Sequence, residues 1–245
     1  MDTKNYNKTQ LSPDKTFERH VFHRDQFAHY LRWTHILKIA KIGMNILDFG
    51  CGSGNLAKVL YRNRFKAKKY LGLDIRKRTI NKNIEKFKNV KWINFNCVDL
   101  CKKINIIKNK WNIICSFEVI EHIGKNNVNT FLKNIGSLMD KQTVFLLSTP
   151  IYDKKVGAAN NHIINGEICE FTFKEMKKHL EKYFLIKNVW GTFASQKDYK
   201  PIMNKVQKEF YNQVYNYFDS NILSNLMAPL FPEHSRNCLW SCKLK

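Results

Sequence analysis

Residues 46–54 read Ile-Leu-Asp-Phe-Gly-Cys-Gly-Ser-Gly, an apolar strand that ends in an acid and then breaks into three alternating glycines. Few folds can use such a run. Glycine lets the backbone turn tightly and approach a ligand with no Cβ in the way. The stretch Asn55–Tyr61 that follows reads as a helix. The N–H groups of its first turn would face whatever sits over the loop.

The spacing downstream sharpens this. Leu71-Gly72-Leu73-Asp74 is a second strand ending in an acid, about twenty residues after the loop. An acid at that point of a βαβ unit suits two ribose hydroxyls. Phe95-Asn96-Cys97-Val98-Asp99 is a third such run, and a carboxylate there can accept from an exocyclic amine like that of adenine. A fourth run, Trp111–Phe117, leads into Glu118.

Order and spacing together resemble the class I S-adenosylmethionine-dependent methyltransferases over roughly residues 30–195. The loop departs from the dehydrogenase form, because Gly50-x-Gly52-x-Gly54 lacks the third glycine spaced for close helix packing. The resemblance implies that Asp48, Gly50, Cys51, Gly52 and Gly54 line the methionine and ribose end of S-adenosyl-L-methionine. It places the ribose hydroxyls on Asp74 beside Ile75. It places the adenine on Asp99 and Leu100, with Phe117 close by.

The chain of 245 residues, 44% hydrophobic and 13% aromatic, can bury the core of one α/β domain and is not disordered over most of its length. No apolar run reaches the length of a membrane span. The polar segment Met1–Thr16 lacks a signal-peptide core and is expected to be a flexible arm, with one domain over 17–245. The cysteines at 51, 97, 101, 115, 169, 238 and 242 show no paired metal spacing, so no disulfide partner is expected. A reducing, cytoplasmic compartment fits them, and a viral or organellar origin fits equally.

Charge is the second clue. Lys and Arg number 42 against 20 acids, a net +22. An AT-rich codon bias accounts for many lysines but not for the deficit of Glu. An excess this large favours a polyanionic partner, most simply nucleic acid, RNA or DNA. Much of it lies in Lys58–Lys110, including Arg62, Arg64, Lys66, Lys68, Lys69, Arg76, Lys77 and Arg78.

Along the chain, Phe17–Ile39 reads as a helical cap, with Phe22, Phe27, Tyr30, Leu31, Trp33 and Ile36 as its apolar positions. His29 and Arg32 among them are candidate substrate contacts. Strands are predicted over Asn45–Phe49, Lys69–Asp74, Val90–Asn96, Ile113–Phe117, Thr143–Ser148, Phe184–Phe193 and Asn237–Leu244. Helix-length segments between them predict a Rossmann-like, doubly wound sheet of seven strands. The resemblance implies that the last strand runs antiparallel. A helix over Phe173–Tyr183 follows the N-cap candidate Thr172. The long segment Ala194–Arg236 reads as a helical insert, with Val206, Phe210, Val214, Tyr217 and Phe218 packing as a small core or lid, or stacking bases beside Lys200, Lys205 and Lys208.

Glu118-Val119-Ile120-Glu121-His122 begins where the fourth strand ends, at the rim where ligands of open α/β sheets bind. A helix starting there would set Glu118, Glu121 and His122 at i, i+3 and i+4 on one face. Two carboxylates and an imidazole suit Mg2+ or Mn2+. The same E-x-x-E-H pattern resembles the metal-dependent ubiquinone-pathway O-methyltransferases and the small-RNA 3′-terminal ribose 2′-O-methyltransferases. Against the RNA family, Ile123 stands where a second histidine is usual. The run Cys169-Glu170-Phe171-Thr172 then puts Glu167 in the slot of the later ligand, with His162 as the alternative. Many metal-free methyltransferases carry a similar motif. There Glu118 touches cofactor or substrate, and His122 acts as a base or a substrate contact. His162 is likewise a candidate for the substrate side.

Three readings follow. The first is methyl transfer to a nucleic acid or nucleotide, at oxygen or nitrogen. The second is a small-molecule O-methyltransferase with the insert as an apolar lid. The third is a nucleic-acid-binding protein with a vestigial cofactor site. No Asn-Pro-Pro-Tyr, Asp-Pro-Pro-Tyr or Pro-Cys motif occurs after the fourth strand. This disfavours the usual amino and C5 methylation of DNA bases.

Overall fold

The computed structural model describes residues 24–65, 67–102, 104, 110–154 and 162–245, and for 24–26 the backbone alone. The arm at 1–16, the start of the cap with Phe22, and Lys66 lie outside the described residues.

Helix α1 (Arg24–Ile39) leads into a seven-stranded sheet. The strands are β1 (Asn45–Phe49), β2 (Lys69–Asp74), β3 (Ile93–Cys97), β4 (Ile113–Phe117), β5 (Val144–Pro150), β8 (Phe184–Gly191) and β9 (Asn237–Leu244). A hairpin of β6 (Ile163–Ile164) and β7 (Glu167–Ile168) stands apart. The order across the sheet is β3-β2-β1-β4-β5-β9-β8. The first five strands are parallel, and β9 runs antiparallel to both β5 and β8. The doubly wound sheet with its antiparallel last strand is therefore present as the sequence implied. Boundaries differ in β3, in β5, which runs Val144–Pro150 rather than Thr143–Ser148, and in β8. β3 begins at Ile93 rather than Val90, because the Val90 N–H closes a turn onto the Phe87 carbonyl. β8 ends at Gly191, where a Cβ would lie 1.9 Å from Ser235 Oγ.

Burial explains the sequence of each strand. β1, β2 and β4 are buried on both faces and read as near-continuous apolar runs. The edge strand β3 alternates, with Asn94 and Asn96 turned outward. On one face pack α1, α2 (Asn55–Arg62) and α3 (Lys77–Phe87), through Ile36, Leu56, Leu60, Ile80 and Phe87. On the other pack α4 (Val128–Leu138) and α5 (Phe173–Glu181), through Phe131, Ile135, Met176 and Leu180. Thr172 caps α5 as expected. Its hydroxyl accepts from Glu175 N at 3.3 Å while the Glu175 carboxylate accepts from Thr172 N at 2.9 Å, a reciprocal cap worth about 1 kcal/mol.

The insert carries α6 (Gln196–Tyr199), α7 (Lys205–Tyr215) and α8 (Ser220–Met227). Its small core is made of Tyr199, Tyr211, Leu223, Met227 and Phe231, with Val214 at the margin. Four of the five residues expected there lie outside: Val206, Phe210, Tyr217 and Phe218 are all exposed. The buried seam of α7 runs through Tyr211, one residue beyond the stripe read from the sequence.

Candidate active site

The strand order reverses between β1 and β4. Helices therefore leave opposite faces there and open a crevice at the carboxyl ends of the strands. The glycine loop after β1 forms one wall and Glu118–His122 after β4 forms the other. The two walls touch at Gly50. Its φ is +84°, and a Cβ there would lie 2.2 Å from Val119 Cγ2, so only glycine fits on both counts.

The loop is held from below. Leu73 O accepts from the N–H groups of Gly50 and Cys51 at 2.7 and 2.9 Å. Asn83, buried on α3, donates to Gly52 O at 2.8 Å. Gly54 takes the N-cap position of α2 in the left-handed conformation and gives its first turn no side-chain cap. Those N–H groups are thus available to an anionic group such as an amino-acid carboxylate.

Asp74 ends β2 beside this loop. Its Oδ2 accepts from Gly52 N at 3.0 Å, and Arg76 supplies three further donors through its backbone and guanidinium. Those bonds hold its carboxyl below the usual range in spite of the burial that raises it. Ile75 next to it is 62% exposed, an apolar surface open at the cleft. Asp99 turns its carboxylate onto Cys101 N at 3.0 Å and pairs with Lys102, while Leu100 is buried and Phe117 half-buried. Asp48 sits deeper. Its carboxylate accepts from Tyr70 Oη at 2.6 Å inside the sheet, beside the Cys115 thiol, and burial lifts its pKa to about 6. Three features of this crevice fit S-adenosyl-L-methionine. They are a loop that side chains would fill, an uncapped helix start for its carboxylate, and an acid one strand away for its ribose.

The E-x-x-E-H segment departs from expectation. It does not form an α-helix with its acids on one face. Glu118 is left-handed at φ +57°, and Ile120–His122 form a single 3-10 turn. Glu118 is consequently separated from the other two. Its carboxylate takes Arg32 Nη2 at 3.0 Å, Ser148 Oγ at 2.8 Å and Asn237 Nδ2 at 2.9 Å. Arg32, expected to contact substrate, is instead 2% exposed and committed to this pair. His29 is exposed one turn earlier and stacks on Trp33.

Glu121, His122 and His162 come together. Among the described residues, one ligand atom from each lies within 4.8 Å of the others. The two imidazoles meet edge to face at 4.4 Å. Glu121 is fully buried with Oε1 lacking a hydrogen-bond partner, and Thr149 donates to its Oε2 at 3.1 Å. Burial, then the charge of Glu118, pushes its pKa well up. Burial and the neighbouring His162 bring His122 down to about 4, so its imidazole is neutral at physiological pH. Glu167 is not part of this group. It is exposed on β7, and the hairpin instead carries His162 inward. Glu170, 2% exposed, meets His162 Nδ1 at 3.1 Å and leaves Nε2 as its free nitrogen. The roles of Asn83, Glu170 and Asn237 were not found from the sequence. A buried polar residue on an otherwise apolar helix face would have pointed to Asn83.

Fold and crevice define an α/β protein built to hold a nucleoside-bearing ligand at its topological switch point. Residues 21–227 match the family described as a methyltransferase domain, and the chain belongs to that family. It is 25% identical over 162 residues to the cyclopropane-fatty-acyl-phospholipid synthase of Escherichia coli, covering 64% of this chain and 40% of that protein. The chain thus spans well under half the length of this relative. Among solved structures, the TehB-like S-adenosylmethionine-dependent methyltransferase of Corynebacterium glutamicum superposes with a TM-score of 0.57 at 16% identity, covering 91% of this chain and 98% of that one. The O-methyltransferase of a Brevibacillus brevis trans-AT polyketide synthase, in complex with S-adenosyl-L-homocysteine, gives 0.55 at 17% identity, covering 96% and 80%. Among the described residues no helix is long and apolar enough to cross a membrane.

Proposed function

We propose that the chain is an S-adenosylmethionine-dependent methyltransferase that acts on a nucleic acid, and that Glu121, His122 and His162 hold a divalent cation at the acceptor side of the crevice. The observation that carries the substrate class is the charge on α2 and α3. Lys58–Lys91 holds thirteen Lys and Arg against Asp74 and Glu85. Both acids are already paired, with Arg76 and Lys88. Lys58, Arg62 and Lys86 crowd one another enough that Lys86 has its pKa lowered, first by partial burial and then by the other two cations. Exposed Tyr61 lies beside them, its ring against Phe87. Clustered cations with an accessible aromatic suit a phosphate backbone with unstacked bases. α2 begins at the cofactor loop and α3 just past Asp74, so a strand lying along them leads to the crevice.

Bound S-adenosyl-L-methionine supplies a methyl group already activated on a sulfonium. The chain has three tasks: to hold the cofactor by its carboxylate and ribose, to align the acceptor, and to set the acceptor's protonation. Gly50–Gly54 and Asp74 serve the first. Neutral His122 serves the last, either as the base that takes an acceptor proton or as a cation ligand. Two imidazoles with one carboxylate suit Mn2+ or a neighbouring transition metal better than Mg2+. The unpartnered Glu121 Oε1 and the Glu170-oriented His162 support that choice. A bound cation would lower the pKa of an acceptor hydroxyl and orient it.

The test is transfer of labelled methyl from S-adenosyl-L-methionine to separated RNA, DNA and small-molecule fractions of a cell extract, with and without EDTA. Label in nucleic acid that vanishes with EDTA supports both halves of the proposal. Label that persists with EDTA removes the cation. Label confined to small molecules overturns the nucleic-acid reading.

A further inference from the structure

Asp74, the acid placed for the ribose, has no acceptor capacity left. Oδ1 takes the backbone N and Nε of Arg76, both at 2.9 Å. Oδ2 takes Arg76 Nη2 at 3.1 Å and Gly52 N at 3.0 Å. The guanidinium also lies along the glycine loop, since a Cβ on Gly52 would sit 3.4 Å from Nη2. It therefore covers the place where two ribose hydroxyls would bond. The arginine end of the pair is 62% exposed, whereas the Asp74 side chain is 8% exposed. Solvent screening at the guanidinium weakens the pair, and a ligand that offers Asp74 two hydroxyl donors can replace it.

We propose that Arg76 is a gate on the ribose subsite, closed over Asp74 before cofactor binds and released by the cofactor toward the acceptor. The geometry says where the released guanidinium goes. Arg76 lies along the glycine loop at Gly52 and stands at the head of α3, where it begins the row Arg76, Lys77, Arg78 and Lys82. A free guanidinium at that point is a bidentate contact for a phosphate oxygen pair. Cofactor would then raise affinity for the acceptor, and by linkage the acceptor would raise affinity for cofactor. This release step rests on the nucleic-acid reading, while the gate itself does not.

The experiment uses the full chain, S-adenosyl-L-homocysteine and a single-stranded RNA or DNA oligonucleotide. Calorimetry without oligonucleotide compares wild type with Arg76→Gln. The variant is expected to bind S-adenosyl-L-homocysteine about two- to five-fold more tightly, the worth of a pair screened at its arginine end no longer competing for Asp74. Unchanged or weaker binding by the variant overturns the gate. Oligonucleotide affinity is then measured with and without S-adenosyl-L-homocysteine. A several-fold gain in wild type that disappears in Arg76→Gln supports the release, and equal affinities in wild type overturn it. A wild type that binds no oligonucleotide overturns the nucleic-acid reading and the release together, and the calorimetry still decides the gate.

Discussion

The Arg32 guanidinium of α1 lies 3.0 Å from the Glu118 carboxylate at the end of β4. The cap helix is thereby joined to the rim of the crevice. Glu118 holds a left-handed backbone at φ +57°, which costs a non-glycine residue of order 1 kcal/mol. Arg32, Ser148 and Asn237 together fix its side chain against that cost. Arg32→Ala should therefore destabilise the fold by about 2–3 kcal/mol, since it leaves a mostly buried carboxylate short of its charged partner. Urea denaturation measures this. Arg32→Lys should recover only part of it, because an ammonium cannot reproduce the guanidinium geometry. A variant as stable as wild type would show the pair to be dispensable.

Asp48 gives a pH dependence whose sign can be worked out. Burial is the main cause of its raised pKa, partly offset by the Tyr70 and Cys115 hydrogen bonds. The folded value is about 6 against 3.8 for the free side chain. The folded state binds this proton more tightly than the unfolded state. The group's favourable contribution is thus complete below about pH 4 and is lost as pH rises through about 6, by roughly 2–3 kcal/mol. Asp48→Asn should raise stability at pH 7.5 by about 1–2 kcal/mol and flatten the stability profile between pH 4 and 6. Denaturant melts across that range provide the check. A profile with the same slope in the variant would assign it to another group.

Gly50 tests the join between the two walls. An alanine at φ +84°, with its Cβ 2.2 Å from Val119, forces either the loop or Val119 to move. Gly50→Ala should weaken S-adenosyl-L-homocysteine binding at least ten-fold and cost about 1–3 kcal/mol in stability. Adding Val119→Ala should restore part of the stability by removing the struck methyl groups, and less of the binding, because φ stays positive. Full recovery of both in the double variant would mean that the clash alone matters.

The sheet could be read from the chain because its central strands are continuous apolar runs punctuated by glycines and acids, and that pattern is local. The cofactor wall was legible for the same reason, since Gly50 to Gly54 and Asp74 sit at fixed distances along the sequence. What could not be read depends on long-range contacts. Asn237 reaches Glu118 from a strand 119 residues away. Arg32 read as a substrate contact because nothing nearby in sequence marks its partner. The E-x-x-E-H motif suggested helical spacing, but the left-handed turn at Glu118 leads into a 3-10 turn instead of a helix, which divides the two acids between separate networks. The insert failed for a smaller reason. A helix face shifted by one residue exposes Val206 and Phe210 and buries Tyr211.

Glu170 offers the sharpest test of the cation proposal, because it touches His162 and is not itself a member of the three-residue cluster. It sits two residues past β7, on the segment that returns from the β6–β7 hairpin, where Cys169 N donates to His162 O at 2.8 Å and fixes the histidine's backbone. Its carboxylate then selects the His162 tautomer by accepting from Nδ1, so the lone pair on Nε2 is available to a cation. Glu170→Gln keeps the size and can still accept one hydrogen bond, but it loses the negative charge that backs the imidazole as a cation ligand. Mn2+ affinity, followed by calorimetry or by paramagnetic broadening of the His122 and His162 ring signals, should fall about ten- to a hundred-fold. Glu121→Gln should fall further, since it removes the charged ligand itself. His179→Ala, on α5 outside the cluster, should leave Mn2+ binding unchanged. If Glu170→Gln binds Mn2+ as wild type does while both histidine signals still broaden, His162 does not need its carboxylate partner. If wild type binds no cation at all, Glu121, His122 and His162 do not form a metal centre, and the base role of His122 takes precedence.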